Sequence, residues 1–323
     1  MIDCQAAEPQ FADHLAPVYR ALADPGDFIV DSSVFECGYP VPDRWPPFVT
    51  RADDYSRPVL VASYGDVKKA RMQGRKRIAY IEHGAGQSYG NGHGSYAGGK
   101  DRDDVSLFLM PNHYSADLWR AAYPRARVEV VGCPKLDTLP RKDPSEPLTI
   151  AIGFHWDCHL FPETLSAFGH FRTALEPLRD AYNLIGHGHP RAWDRPPNLL
   201  RRYRRAGIEA VTDFTEVCRR ADLFICDNSS AMYEFAATGR PVVVMNPPWY
   251  RKDVNYGLRF WDAIPGPQVD DPNELIDTVA RALQEGPQSR EQALSIVYPY
   301  RTGAAQRAAG ILNEWSNEME EAA

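Results

Sequence analysis

Four short segments carry residue types whose chemistry stands out. Glu82-His83-Gly84-Ala85-Gly86-Gln87-Ser88 follows an apolar run and opens a glycine-rich stretch that ends at Gly98-Gly99. A histidine there suits a general base, because its ordinary pKa lies near neutrality and mobile glycines let the following loop close over a substrate. The alternative is a histidine that caps a sheet edge. In Cys226-Asp227-Asn228-Ser229-Ser230, a predicted strand meets a predicted helix. Ser and Asn at such a junction cap the helix, and the free amides and helix dipole at the same point attract a phosphate.

The third segment is Gly186-His187-Gly188-His189-Pro190, with His155-Trp156-Asp157-Cys158-His159 behind the preceding strand. If those strands are neighbours, four of the nine histidines face one another. Imidazoles donating to a diphosphate, a metal site and ordinary polar loops all stay open, since nothing in the spacing demands the three or four convergent ligands of zinc. The fourth is Val131-Gly132-Cys133-Pro134-Lys135-Leu136-Asp137, where Gly and Pro make a rigid turn and Lys135 and Asp137 project beyond a strand end.

These segments need parallel strands to position them. Apolar runs alternate with amphipathic stretches from about residue 58: Pro58–Ala62, 65–73, Ile78–Ile81, Val105–Met110, 112–123 and Val128–Val131. That rhythm reads as repeated βαβ units and a mainly parallel sheet. Between residues 138 and 147 the sequence TLPRKDPSEP holds three prolines and four charges, and reads as an exposed linker. The rhythm then restarts: strands at Leu148–Gly153, Tyr182–Gly186, Ala221–Cys226 and Pro241–Met245, and helices at 162–179, 195–206 and 229–239. The expected fold class is α/β, with two Rossmann-like doubly wound domains facing a cleft. Residues 1–140 form the first and 148–300 the second, and a C-terminal helix over 303–320 packs back on the first. In such sheets ligands bind beyond the carboxyl ends of the strands, where all four segments fall.

The chain has 323 residues, 44% hydrophobic and 24% charged, enough for two domains and with no run near the roughly 20 apolar residues of a membrane span. No signal peptide is legible at Met1–His14, and six scattered cysteines without CxxC pairing fit free thiols, so a cytoplasmic location is expected. A net charge of −7 does not favour nucleic acid as a partner. The dense basic run Arg201-Arg202-Tyr203-Arg204-Arg205 reads as a solvated helix face.

Taken in order, the segments resemble the CDP-glycerol glycerophosphotransferase family, teichoic-acid and capsule polymer-forming enzymes with a glycosyltransferase-B fold. The similar pieces are His83-Gly84, the turn Gly132-Cys133-Pro134-Lys135-Leu136-Asp137, His187 to Pro190, and Asp227-Asn228-Ser229-Ser230. Tyr233-Glu234-Phe235-Ala236 through Val243 and Pro265-Gly266-Pro267 follow the same pattern. The chain departs from it at Ala85-Gly86-Gln87-Ser88-Tyr89, where the family has a threonine and a hydrophobic-basic segment. A second departure is Phe154-His155-Trp156-Asp157, in place of a Thr-x-Arg-like segment.

The resemblance implies a transferase that moves a glycerol-phosphate, related polyol-phosphate or glycosyl group from a nucleotide diphosphate donor, a CDP-polyol or nucleotide sugar, to an acceptor hydroxyl that a polymer could carry. It implies His83 as the base. His187, His189, Asn228, Ser229 and Ser230 would hold the donor phosphates, and Gly84, Gln87, Lys135, Asp137, His155 and Asp227 would line the acceptor side or cleft. No metal and no cofactor is called for. A nucleotide-sugar epimerase or hydrolase of the same fold, or a binding module without chemistry, is the alternative.

Overall fold

The computed structural model describes every residue except 33, 35–40, 87–97, 141, 143–146, 158–164, 251–262 and 322–323. Gln87, Cys37, Cys158, His159, most of the glycine-rich stretch and half of the linker segment therefore lie outside the described residues. The rest form two compact units. One takes the described residues up to Thr138 and those from Val297 on; the other runs from Leu139 to Ile296.

The first unit is built on six parallel strands, β1 (Ile2–Ala6), β2 (Pro25–Val30), β3 (Val59–Val61), β4 (Ile78–Ile81), β5 (Val105–Met110) and β6 (Arg127–Val130), ordered β2-β1-β3-β4-β5-β6. Among the described residues the helices α1 (Pro9–Ala21), α2 (Tyr64–Met72) and α3 (His113–Ala122) connect them. Alternate strand residues feed two cores. Cys4, Leu60, Ala79 and Ile81 pack under α1 and the C-terminal helix Ala304–Glu321, whose Ala308, Leu312 and Trp315 join that core. Val59, Ile78, Tyr80 and Phe108 pack under α2 and α3. There Trp119, fully buried, stacks on Phe108 at 4.6 Å and on Tyr123 at 5.6 Å. Each such pair adds about 0.5–1.5 kcal/mol beyond its area burial.

The unit β1-α1-β2 is absent from the apolar pattern read from the sequence, for a physical reason. β1 buries Asp3 and Gln5 alternately with Ile2, Cys4 and Ala6. The Asp3 carboxylate lies 2.7 Å from the Arg75 guanidinium and accepts from the Asp27 amide at 2.8 Å, so a central strand carries a charge. A run that looks polar is thus fully internal. Pro17 inside α1 further weakens the helical signal.

The second unit repeats the plan with β7 (Thr149–Phe154), β8 (Asn183–Gly188), β9 (Glu209–Ala210), β10 (Leu223–Cys226), β11 (Val242–Met245) and β12 (Gln268–Val269), all parallel, ordered β12-β11-β10-β7-β8-β9. Its connecting helices include α4 (Leu175–Ala181), α5 (Leu199–Ala206), α6 (Phe214–Arg220) and α7 (Ala231–Ala237). The helix expected from 195 starts only at Leu199. Pro196 and Pro197 have no amide N–H to give, and Asn198, with φ of 59°, caps α5 by accepting from the Arg201 amide at 3.3 Å. No described helix is long and apolar enough to cross a membrane.

Each sheet has one point where the strand order reverses, between β1 and β3 in the first unit and between β7 and β10 in the second. Crevices for ligands open at such points, beyond the carboxyl ends.

Candidate functional site

In the first unit His83 stands two residues past β4. The Glu82 amide still donates to Leu109 O at 3.0 Å, which holds the chain in line until His83 is reached. Its Nδ1 lies 2.7 Å from Ala62 O, one residue past β3. A carbonyl only accepts, so Nδ1 carries the proton and the lone pair belongs to Nε2. Phe11 of α1 meets the imidazole edge-on at 4.6 Å, and the side chain keeps 38% of its surface exposed, enough for a hydroxyl to approach. Burial pushes the His83 pKa below its ordinary value of 6.5, opposed by the nearby Glu82 carboxylate, whose Oε1 is 3.8 Å from Nδ1. Burial in turn raises the Glu82 pKa. At neutral pH the imidazole is therefore neutral, with Nδ1 protonated and a basic Nε2.

The turn after His83 needs glycine at Gly84, where φ is 86°. It is pinned by Asn112, a residue that the motif reading passed over. Asn112 is fully buried, accepts from the Ser115 amide at 2.8 Å as the cap of α3, and donates from Nδ2 to Ala85 O and Val297 O at 2.9 Å each. An Asn ahead of an amphipathic run is a legible cap; its second set of bonds is not.

Lys135 and Asp137 fall on a short 3-10 turn, Pro134–Thr138. Gly132 before it has φ of 91°, and a Cβ there would sit 2.7 Å from Tyr300 O. Lys135 is buried. Asp137 does not simply project from the strand end: its Oδ2 accepts from the Ala305 amide at 2.8 Å, tying the turn to the first turn of the C-terminal helix. Asp137→Ala will cost about 1 kcal/mol, the usual worth of a helix cap, measured as a shift in urea midpoint at unchanged donor affinity.

In the second unit, β7 and β8 are indeed neighbours, with Gly153 opposite His187. The structure nevertheless sets His187 apart from His155 and His189. His187 donates from Nδ1 to Val211 O at 2.8 Å and packs among Trp193, Phe214 and Phe224. β8 ends at Gly188, and Pro190 starts a 3-10 turn, so His189 leaves the strand's alternation. His189 caps that turn, accepting from the Arg191 amide at 3.1 Å, and its ring lies 5.0 Å from that of His155. Arg191 sits over Trp156, 5.0 Å from the ring centre. Among the described residues His155, His187 and His189 do not converge as a three-ligand set.

Asp227 follows β10 at the switch point and is fully buried. Its carboxylate accepts from the His155 amide at 2.9 Å and the Ala167 amide at 3.0 Å, so it fastens the segment after β7 to the end of β10. Asn228 is buried, and its Oδ1 has no hydrogen-bond partner among the described residues. Ser229 Oγ accepts from the Ala231 amide at 3.2 Å, and Ser230 immediately precedes α7 without capping it through its side chain.

Two doubly wound parallel sheets with chemistry at their strand ends define an α/β protein of the glycosyltransferase-B kind. Residues 167–308 match the family model of CDP-glycerol:poly(glycerophosphate) glycerophosphotransferase. That match bears out the resemblance read from the motifs and marks a CDP-glycerol glycerophosphotransferase-like enzyme; it takes in His187, His189 and Asp227 to Ser230, while His83 lies outside it. No curated protein matches the chain by sequence.

Among solved structures, a variant of the wall teichoic acid polymerase TagF soaked with CDPG has a TM-score of 0.68 at 14% identity, over 99% of this chain and 90% of that one. The S. aureus MnaA–UDP structure scores 0.58 at 14% identity, over 98% and 96%. The UDP-GlcNAc 2-epimerase from Neisseria meningitidis bound to UDP-GlcNAc scores 0.54 at 13%, over 97% and 99%. At these identities the likeness establishes the fold.

Proposed function

We propose that the protein transfers a glycerol-phosphate or related polyol-phosphate group from a CDP-linked donor to an acceptor hydroxyl, with His83 as general base. The observation that carries this reading is the His83 geometry: Nδ1 committed to Ala62 O, pKa held down by burial, and a basic Nε2 at the carboxyl end of a parallel sheet. The family match over the second unit supports the choice of donor.

In the reaction, the acceptor oxygen attacks the phosphorus that bears the polyol. Its proton passes to His83 Nε2, the phosphoanhydride bond breaks and CMP leaves. General-base assistance of this kind is worth about 10²–10⁴-fold. His187, His189, Asn228, Ser229 and Ser230 hold the diphosphate and offset the charge that develops on it, as preorganised donors do. Lys135, His155 and the Gly84 turn serve the acceptor side, and Asp227 and Asp137 hold backbone in place. Transfer of a glycosyl group would use the same residues, with attack on the anomeric carbon and a nucleoside diphosphate leaving.

Thermal stabilisation by a panel of CDP-glycerol, CDP-ribitol and UDP-, GDP- and TDP-sugars identifies the donor. A shift with a CDP-polyol is expected; stabilisation by a UDP-sugar alone would replace the polyol-phosphate reading with the epimerase or glycosyl one. The base also sets a pH dependence. Because only neutral His83 accepts a proton and its pKa is lowered, kcat/KM should be flat near pH 7 and fall on the acid side with a midpoint below 6.5. A midpoint above 7 would assign the limb to another group.

A further inference from the structure

Two buried carboxamides lie just beyond the carboxyl ends of neighbouring strands, and the reading above uses the Oδ1 of neither. Cys226 of β10 stands opposite Val244 of β11, and Asn228 and Asn246 each lie two residues beyond that pair. Both are more than nine-tenths buried, at 8% and 3% exposure, and the Oδ1 of each lacks a hydrogen-bond partner among the described residues. Asn246 is firmly held: its amide N–H donates to Val269 O at 2.9 Å, and Nδ2 donates to Gln268 Oε1 at 2.7 Å. A buried polar atom without a partner costs about 1–3 kcal/mol, so two just beyond the ends of adjacent strands need a counterpart.

The chemistry of that counterpart is restricted. Phosphate oxygens only accept, and so cannot satisfy a carbonyl oxygen. A carboxamide can also be placed with its O and N exchanged, which would leave an N–H in need of a partner. A hydroxyl donates and accepts, and is the ligand group that suits both orientations. We infer that Asn228 and Asn246 form a hydroxyl-recognising pair for the donor, engaging its ribose or its polyol rather than its diphosphate. This rests on the donor reading above, and it moves the Asn228 Oδ1 from phosphate binding to selection of the donor's hydroxyls.

The test is a titration of CDP-glycerol, CDP and 2′,3′-dideoxy-CDP into the wild type and into Asn246→Leu and Asn246→Ala, with melting temperatures recorded to confirm that each variant folds. Loss of one buried neutral hydrogen bond predicts roughly tenfold weaker binding of CDP-glycerol with binding of the dideoxy nucleotide unchanged. If CDP weakens equally with CDP-glycerol, the ribose is the group engaged; if only CDP-glycerol weakens, it is the polyol. Equal loss for all three probes, or none for any in both folded variants, overturns the pair alone. A wild type that binds none of the three overturns the donor reading and the pair with it.

Discussion

His83→Ala is expected to lower kcat by about 10²–10⁴-fold while shifting donor affinity less than about threefold. The imidazole is placed by backbone rather than by substrate: Ala62 O fixes its tautomer, and Phe11 fixes its ring plane. The ordering of Nε2 thus precedes any ligand, and its removal takes away an interaction that matters only as the proton moves. His83→Gln keeps the approximate size of the side chain but has no basic nitrogen, so it should fall as far as the alanine variant. Steady-state kcat and KM for both variants, with CDP-glycerol stabilisation as the binding control, check this. A glutamine variant that retained a tenth or more of the activity would make His83 a positioning residue and remove it as the base.

The second large effect falls on stability. Asp227→Ala should destabilise the protein by about 3–5 kcal/mol, because it deletes a fully buried carboxylate that satisfies the amides of His155 and Ala167. Those residues lie 72 and 60 positions away along the chain. Asp227→Asn retains one acceptor oxygen and should cost about half as much. Urea denaturation at constant m value measures both. A loss below about 1 kcal/mol for the alanine variant would mean that the carboxylate is not the fastening described.

The reason that so much of this fold could be read from the sequence is also physical. Strands such as Leu223–Cys226 and Val242–Met245 are covered on both faces, so they appear as unbroken apolar runs. β1 broke that rule by burying Asp3 against Arg75, a pairing that unites residues 72 apart and leaves no local trace. The two-residue strands β9 and β12 are too short to carry a pattern at all.

At the candidate site, the strand-end positions of His83, Asp227 and the serines were legible because chemistry in parallel sheets collects at strand ends. The contacts that each residue makes were not. The separation of His187 from His189 depends on where β8 stops, the capping role of Asp137 depends on a helix 168 residues later, and the orphaned oxygens of Asn228 and Asn246 appear only when burial is known.

The most direct test of the central claim is to follow nucleotide and phosphorus products when the purified protein is given CDP-glycerol with and without a glycerol-phosphate acceptor. The account predicts CMP release that requires the acceptor, matched one for one by a new phosphodiester, and lost in His83→Ala. Release of CMP at the same rate without acceptor, or products unaffected by the loss of His83, would contradict it.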